Sequence, residues 1–565
     1  MTGRPRPLAE RGAAAWAETG VVVLLGAVLL LPGLGGYPLL DPSEARHAAV
    51  ARQMARTDSW LVPVLYGVPY YDKPAPYYWL LRAAARLPVA AETAARLPSA
   101  IATLACAVVL QRFARPRFGA PAALLAAAVF VTSPATVALG RSTNPDAVLA
   151  TAVTAAAVAW LAWMDRPAAP PWAAYALMGL GALVKGPVAI VLPLLVAGAS
   201  AVARGVLRAR IRAAALVRGL ALSTAILLAW LSPAAIADPR YAAAFLLQHN
   251  VDRYVTGDVG HPHAFWFLVP ALLAMVLPWS LALPAALAAG SPWRSTGDGD
   301  AAVHERDAWL WAVVIVAFFS VGRAKLPAYV LPAIAPLALW LASRLVRLAR
   351  LAAATADRRF DGEREREPRE RWLRGALALW AAVLLAAPIA IWTYLRFAFP
   401  RFAELAWRAW PLPVAALLGL ALAWRTPARL RGTALSFACG NAVVLVLAYA
   451  VGAPLVSRVA SDVALARIAD DLAPGVPLVG FRIHPASLSF YSASTVRKLR
   501  DVDDVVAIAR AGPLLVVTRA EDAEALQRAG LALHQWTECE RHCLWGTMPR
   551  PGVAALVAAA PAPAS

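Results

Sequence analysis

The sequence predicts a polytopic α-helical membrane protein that carries a small C-terminal α/β domain. Of its 565 residues, 60% are hydrophobic and only 16% are charged, and the mean hydropathy is +0.59. Soluble globular proteins are typically about 25% charged. Apolar runs of roughly 18 to 20 residues, each long enough to cross a bilayer, recur between Gly20 and Gly452.

These apolar runs predict about thirteen membrane spans. They lie near residues 20–37, 97–112, 119–133, 145–163, 171–184, 186–204, 217–237, 264–289, 308–321, 326–343, 374–394, 411–424 and 433–456. Arginine-rich loops fall on alternate sides of this count, which predicts a cytoplasmic N-terminus by the positive-inside rule. The first span lacks a clear small-x-small cleavage site, so it is expected to stay as an anchor.

The domain organisation follows from this count. Residues 1–456 are expected to form the membrane module, with a long outward loop at 38–96 that carries interfacial helices. Residues 457–552 are expected to form the α/β domain, with strands at 477–481, 487–492 and 513–518 and helices at 501–512 and 519–530. The Ala/Pro-rich segment 553–565 is expected to be a disordered tail.

Two cysteines in the predicted outer domain, Cys539 and Cys543, lie four residues apart. An oxidising compartment favours a disulfide between them. A zinc site is the alternative, but only His542 is nearby as a further ligand.

Three carboxylates stand at two helix starts that face outward in the span count. Asp41-Pro42 begins a predicted amphipathic helix, 42–56, with Asp41 as N-cap and Glu44 in the first turn. The helix of the fourth predicted span begins in a similar way, with Asn144 as the expected capping residue, Pro145 next and Asp146 in the first turn. Helix capping explains these acids as well as catalysis does, yet three carboxylates at one membrane boundary make Asp41, Glu44 and Asp146 candidate catalytic bases.

The chain uses arginine far more often than lysine as its basic residue. The chain has four lysines against fifty arginines, and three of the four lie close to a proline at the mouth of a span: Lys73, Lys185 and Lys325. An ammonium suits phosphate as a compact charge, although snorkelling to lipid headgroups is the simpler explanation for any one lysine. Arg253 lies in another outward loop and is a fourth candidate cation.

A divalent metal ion is a further possibility in these loops. Asp72, beside Lys73, and His249 are its candidate ligands. The net charge of +20 does not indicate nucleic-acid binding, because the arginines occupy short loops and no basic-aromatic run or Gly-rich phosphate loop is present.

The outward segments resemble the ArnT-like glycosyltransferases, bacterial relatives of the protein O-mannosyltransferases with the GT-C membrane fold. The resemblance runs in order from about residue 20 to 345, and its most specific blocks are YYDKP (70–74) and KLPAYVLP (325–332). Three positions depart from the family pattern. Ser43 stands where many members have Asp, His47 replaces a tyrosine, and Asp72 replaces a glutamate.

The resemblance implies transfer of a sugar from a polyprenyl-phosphate donor to an envelope acceptor on the periplasmic face of the inner membrane. The acceptor is lipid A in the best-known branch, with another glycan or a protein as alternatives. Lys73 and Arg253 would contact the donor phosphate, with Lys185 and Lys325 as further candidates. Direct displacement would invert the anomeric centre.

Two other functional classes remain open from the residues alone. A lipid-linked-substrate transporter or flippase would also have many spans, but such proteins tend to show internal repeats and charges near the midplane, and no repeat is evident. The second class is a non-catalytic assembly partner in envelope synthesis. In that case, replacement of Lys73, Arg253 or the carboxylates would have no effect.

Overall fold

The structure, a computed structural model, is mostly helical. It describes residues 8–167, 169–210, 213–256, 262–288, 299–356, 363–398, 400–425, 429–539 and 541–551. Seven helices in this part of the chain are long and apolar enough to cross a membrane, and nine qualify if each of two bent helix pairs is one span. The bends are 63° between Ala120–Thr132 and Pro134–Gly140, and 104° between Leu268–Met275 and Trp279–Ala288.

Every one of the thirteen predicted spans coincides with a helical segment. Some of these are too short or too charged to qualify as full spans by composition alone. The main helices are Leu8–Leu30, Ala91–Phe118, Ala120–Thr132, Pro134–Gly140, Pro145–Asp165, Trp172–Lys185, Val188–Ala203, Ala213–Ala237, Leu268–Met275, Leu283–Ala288, Asp300–Val321, Leu331–Ala356, Glu363–Ala398, Pro411–Arg425, Arg429–Leu447 and Ala453–Ala460.

Shorter helical segments connect them. Leu207–Arg210, Arg240–Ala243 and Arg253–Val255 are α-helical, Ala244–Asp252 and Ala448–Gly452 are π-helical, and Trp279–Ala282, Pro327–Val330 and Pro400–Ala409 are 3₁₀-helical. The protein is therefore a multi-pass membrane protein, as its sequence predicts.

The chain divides into two compact units. The membrane unit comprises residues 1–34 and 96–451, and the sheet unit comprises residues 35–95 and 452–565. The sequence-based division placed the loop 38–96 in the membrane module. In the structure this loop groups with the C-terminal segment instead, because its helix Ser43–Arg56 packs on the helix Ala486–Tyr491.

The sheet unit is built on a five-stranded sheet. The strands lie in the order Val496–Leu499, Leu478–Phe481, Leu515–Thr518, Cys543–Gly546 and His534–Gln535. The first three are mutually parallel, with Gly480 opposite Lys498, and the last two pair antiparallel. The loop contributes the helices Ser43–Arg56 and Ala75–Ala84 and a hairpin that pairs Val64–Leu65 with Val68–Pro69.

Each face of the sheet is covered by apolar side chains. On one face, Leu478, Val496 and Leu515 pack with residues of the helices Val463–Leu472 and Ala486–Tyr491. On the other, Val479, Phe481 and Val516 pack with the helices Val502–Ala511 and Ala520–Arg528. The predicted helices 501–512 and 519–530 and the strands 477–481 and 513–518 are confirmed with small changes of boundary.

One predicted strand is wrong. Residues 487–491 lie in the helix Ala486–Tyr491, Ser492 is its C-cap, and the next strand is Val496–Leu499. Serine alternates with apolar residues at positions 487–490, a period typical of a strand. Residues 486–490 are nevertheless all buried in the helix, because so short a run does not distinguish the two structures by its period.

The end of the chain bears on two further predictions. Cys539 and Cys543 form a disulfide, so the disulfide is confirmed and the zinc alternative is wrong. The predicted disordered tail, 553–565, lies outside the described residues.

Candidate functional site

The nine candidate residues are divided between the two units. Asp41, Glu44, Asp72 and Lys73 lie in the sheet unit, and Asp146, Lys185, His249, Arg253 and Lys325 lie in the membrane unit. The surroundings of each follow within its own unit.

Asp41 does not cap the helix that follows it, so the capping prediction is wrong. The helix begins at Ser43, and its N-cap position is Pro42, without a side-chain capping bond. The Asp41 carboxylate accepts hydrogen bonds from the backbone N–H of Ser487, at 2.8 Å, and from the Ser487 hydroxyl. Burial, reinforced by the nearby Asp462 carboxylate, raises the pKa of Asp41 to about 7.

Ser487 also joins Asp41 to a buried contact between Asp462 and His542. Its hydroxyl oxygen accepts the backbone N–H of Asp462 at 2.8 Å, and Asp462 contacts His542 Nδ1 at 2.9 Å. The backbone N–H of Asp41 donates to the carbonyl of Ala460 at 2.7 Å. Asp41 therefore fastens the start of the loop to the C-terminal segment.

Glu44 lies in the first turn of its helix and is 7% exposed. Its Oε2 accepts the backbone N–H of Leu40 at 3.0 Å, which satisfies a donor just before the helix start. A first-turn glutamate commonly accepts a backbone N–H at the start of its helix, as in a capping box.

Lys73 is buried beside its neighbour Asp72. Lys73 as a whole is 8% exposed, and its ammonium donates to the Asp72 side chain at 2.8 Å and to the Asp72 carbonyl at 2.9 Å. The other carboxylate oxygen of Asp72 accepts the Tyr70 hydroxyl at 2.9 Å. Pro74 then begins the helix Ala75–Ala84, whose N-terminal end favours anions.

Arg46 is a site residue that the sequence prediction omitted. Its pKa is raised despite burial, because Tyr70 and Asp72 lie close to its guanidinium. It therefore places a second cation near Asp72, the partner of Lys73. The signal in the sequence was its place two residues after Glu44, in the same outward loop.

In the membrane unit, Asp146 and Lys185 form an ion pair. Asn144 caps the helix that begins at Pro145, since its Oδ1 accepts the N–H of Asp146 at 2.7 Å, and this predicted cap is confirmed. Lys185 ends the helix Trp172–Lys185 and lies 4.9 Å from the centre of the Tyr329 ring. Tyr329 is part of the KLPAYVLP block.

Lys325, from the same block, is 3% exposed and donates to the carbonyl of His263 at 3.0 Å. Arg253 begins a short helix directly after the π-helical segment that contains His249. The next residue, Tyr254, stacks on Phe318. π-Helical turns occur frequently at functional sites, and this one fixes the position of the predicted cation-bearing loop.

The predicted metal ligands, Asp72 and His249, lie in different units. Within the described residues, no group of three His, Cys, Asp or Glu side chains is arranged to hold a metal ion. The Asp72 carboxylate is engaged by Lys73 and Tyr70. A bound metal ion stays a prediction.

Comparison with known proteins identifies the fold. Over 97% of its length the chain superposes on all of the crystal structure of ArnT from Cupriavidus metallidurans bound to undecaprenyl phosphate, with a TM-score of 0.75 and 23% identity. The apo structure of the same protein gives a TM-score of 0.75 and 24% identity. The chain has the ArnT-type GT-C fold.

Sequence comparison gives the same relatives. Residues 72–235 match the family model described as dolichyl-phosphate-mannose-protein mannosyltransferase. An undecaprenyl phosphate-α-4-amino-4-deoxy-L-arabinose arabinosyl transferase of Pseudomonas fluorescens is 31% identical over 346 residues, 60% of this chain and 61% of that protein. The Edwardsiella ictaluri protein of that name is 30% identical over 59% of this chain and 60% of its own length.

These matches confirm the predicted resemblance to ArnT-like, polyprenyl-phosphate-sugar glycosyltransferases. The chain spans about three fifths of the length of the curated relatives it matches. The ArnT-like fold covers nearly the whole chain, including the C-terminal sheet.

Proposed function

We propose that this protein is an inverting glycosyltransferase of the inner membrane, which moves a sugar from a polyprenyl-phosphate donor to an envelope acceptor on the periplasmic face. The observation that carries the proposal is the 31% identity to an arabinosyl transferase named for an undecaprenyl phosphate-linked sugar. The ArnT-type fold supports it, and so does the lack of an evident internal repeat of the kind transporters often show.

Lys73 is proposed to bind the donor phosphate. The departing group is a lipid phosphate that gains negative charge as the glycosidic bond breaks, and a fixed cation lowers the energy of that state. Lys73 is buried, so its charge acts where water screens it little. Arg46 adds a positive charge on the same loop, and Arg253, Lys185 and Lys325 remain candidates for the same task.

The acceptor oxygen needs a group that orients it and takes its proton. Glu44, Asp41 and Asp146 are the proposed candidates, and their surroundings differ. Asp41 has a pKa of about 7, which suits a general base, but both its oxygens accept bonds from Ser487. Asp146 is paired with Lys185. Glu44 accepts the backbone N–H of Leu40. We place it first because it shares the helix Ser43–Arg56 with Arg46, the second cation proposed near the donor phosphate.

Sugar and acceptor stay open in this proposal. The relatives named for aminoarabinose favour that sugar, and the family match described as a protein mannosyltransferase favours a protein acceptor. Lipid A is the acceptor that the family resemblance implies. The decisive experiment compares envelope lipids, glycans and proteins by mass spectrometry in cells with and without the gene. Loss of one glycosylated species is expected, and no change in any glycoconjugate would contradict the transferase.

Site-directed variants then rank the carboxylates. Glu44→Gln should abolish transfer in a reconstituted assay, whereas Asp41→Asn should retain most of it. If Asp41→Asn abolishes transfer and Glu44→Gln retains most of it, Asp41 is the base. Wild-type activity in both variants would leave Asp146 as the candidate, to be tested as Asp146→Asn.

A further inference from the structure

The sheet unit contains a basic cavity that none of the proposed chemistry uses. The cavity has a volume of about 290 Å³ and is lined by Arg482, Ile483, His484, Lys498 and Arg500. Lys498 is the one lysine of the chain that lies outside the span mouths. Four of the five lining side chains are basic.

The cavity lies at the carboxyl edge of the parallel strands. Arg482, Ile483 and His484 directly follow the strand Leu478–Phe481, and Arg500 directly follows Val496–Leu499. The strand Leu478–Phe481 is central to the three parallel strands, and the helices after it and after its neighbour cover opposite faces. In open α/β sheets, ligands bind outside the carboxyl ends of the strands.

The turn that forms the cavity has an uncommon backbone. Arg482 has a φ of 54°, in the left-handed region that few residues other than glycine adopt. Its backbone N–H donates to the carbonyl of Leu499 at 3.0 Å, and its Nε donates to the carbonyl of Arg500 at 3.2 Å. These bonds hold the ends of the two strands together. Strained residues of this kind concentrate at functional sites.

The approach of this turn to the sheet requires Gly480. A Cβ atom at this position would lie 2.6 Å from Cβ and Cγ of Pro485. The glycine therefore lets Pro485 lie against the strand and brings His484 towards Lys498.

Lys498 and His484 are arranged as donors. Lys498 Nζ lies 3.2 Å from His484 Nδ1. Because an ammonium can only donate, Nδ1 is the acceptor, which leaves the proton of a neutral His484 on Nε2. The Lys498 ammonium and the His484 Nε2–H can then both donate to an anion.

Positive charge is crowded here. Burial, Arg500 and Arg46 lower the pKa of Lys498, and burial, Lys498 and Arg46 lower that of His484. The acid in contact is Asp522, which lies 3.3 Å from Arg482. A bound anion would relieve this repulsion.

We propose that this cavity is a phosphate-binding site of the C-terminal domain, with Lys498, Arg500 and His484 as its donors. Its ligand is a phosphomonoester or diphosphate group, because compact groups with several oxygens match convergent cationic donors. The group is carried either by a lipid headgroup or by free phosphate. The proposal does not rest on the sugar transfer above, although the charge of Arg46 acts on Lys498 and His484 as well.

The test uses the full chain in neutral phosphatidylcholine nanodiscs, titrated calorimetrically with inorganic pyrophosphate. Arg500→Gln and Lys498→Gln should each weaken binding about fivefold or more. Arg497→Gln is the matched control: Arg497 is exposed on the same strand but points to the opposite face from Lys498. It should change binding less than about twofold.

A second arm identifies the source of the phosphate. Native mass spectrometry of the full chain would compare retained phosphatidic acid, a phosphomonoester, with phosphatidylglycerol, a diester. Preferential retention of phosphatidic acid that Arg500→Gln abolishes indicates a lipid headgroup. Pyrophosphate binding without that preference indicates a free phosphate.

Two results would overturn the proposal. One is the absence of both pyrophosphate binding and phosphatidic acid preference at millimolar ligand. The other is equal weakening by Arg497→Gln and Arg500→Gln, which would indicate general surface charge. Sugar transfer measured on the same samples keeps this outcome separate from that of the proposed function.

Discussion

At the scale of single residues, Lys73 shows how a surface loop can hold a buried charge. Its ammonium is bonded to both the side chain and the carbonyl of Asp72, and Tyr70 orients that side chain from the other side. A buried charge needs such partners, because burial without them is costly. The sequence KPAP alone shows only that a lysine precedes a helix start.

Replacement of Lys73 tests the donor-phosphate role. Lys73→Ala should lower the rate of sugar transfer about 100-fold or more, which is the cost of losing one donor to a developing anion. Lys73→Arg should recover little, because a guanidinium does not fit a space shaped for an ammonium. Initial rates in proteoliposomes measure this.

Arg86→Ala provides the control for Lys73. Arg86 is exposed and lies in the same loop, just after the helix Ala75–Ala84, so its replacement should leave the rate within about twofold. Equal loss in both variants would contradict a specific role of Lys73.

Asp41 predicts a pH dependence of stability. Its pKa is raised from an ordinary value of 3.8 to about 7, so the folded state binds the proton more tightly than the unfolded state. The contribution of Asp41 to stability is therefore fully present below about pH 4 and is lost as the pH rises through about 7. Asp462 and Arg541 are the charged groups that face it, and Ser487 is its hydrogen-bond partner.

Thermal unfolding of the full chain between pH 5 and pH 8 measures this effect. The melting temperature of Asp41→Asn should fall less across the range than that of the wild-type protein, because the neutral amide has no proton to lose. Identical pH profiles would show that Asp41 does not titrate in this window.

At the scale of secondary-structure elements, the helix Ser43–Arg56 is amphipathic, as predicted, but its buried side is specified by polar contacts too. Gln53 donates to the Ser489 hydroxyl at 2.7 Å, and Arg56 donates to the carbonyl of Ser492 at 3.0 Å. Gln53 and Ser489 are 6% and 1% exposed. Such buried bonds fix which face of a helix meets its partner.

A double-mutant cycle tests this contact. Gln53→Ala and Ser489→Ala should each lower the free energy of unfolding by about 1–3 kcal/mol, because each leaves a buried polar partner unsatisfied. The double variant should cost clearly less than the sum of the two. Additive losses would show that the two side chains do not interact in solution.

The same elements show what the sequence could predict. Each of the thirteen apolar runs overlaps a helix, because a bilayer-length run has few alternatives. The strand assigned to residues 487–492 was wrong, since the alternation of serine and apolar residues at 487–490 suits a strand while the segment is a buried helix. The capping of Asp146 by Asn144 was predicted because it is local. The engagement of Asp41 by Ser487 was not, because the two residues are 446 positions apart and no local pattern reports such a pair.

At the scale of the whole molecule, the first loop and the C-terminal segment form one packed unit. Asp41, Gln53 and Arg56 all bond to residues between 487 and 492. The loop that carries Lys73 therefore depends on a domain that a motif search would regard as an accessory.

Truncation tests this dependence. A chain that ends at residue 452 should expose the arginines of the helix Ser43–Arg56 to trypsin, because their packing partners are removed. Limited proteolysis in nanodiscs, read by mass spectrometry, measures cleavage after Arg52 and Arg56. A chain that ends at residue 551 is the control and should resist cleavage as the full chain does. Equal resistance of both would mean that the loop folds without the C-terminal segment.

The contact between Gln53 and Ser489 also has a consequence for biosynthesis. The two residues are 436 positions apart, and ribosomes add about 5 to 20 residues per second. The loop therefore waits roughly 20 to 90 seconds for its partner after it has emerged. Throughout that interval the helix Ser43–Arg56 lacks its packing partner, so its buried contacts form only after the residues near Ser489 have been made.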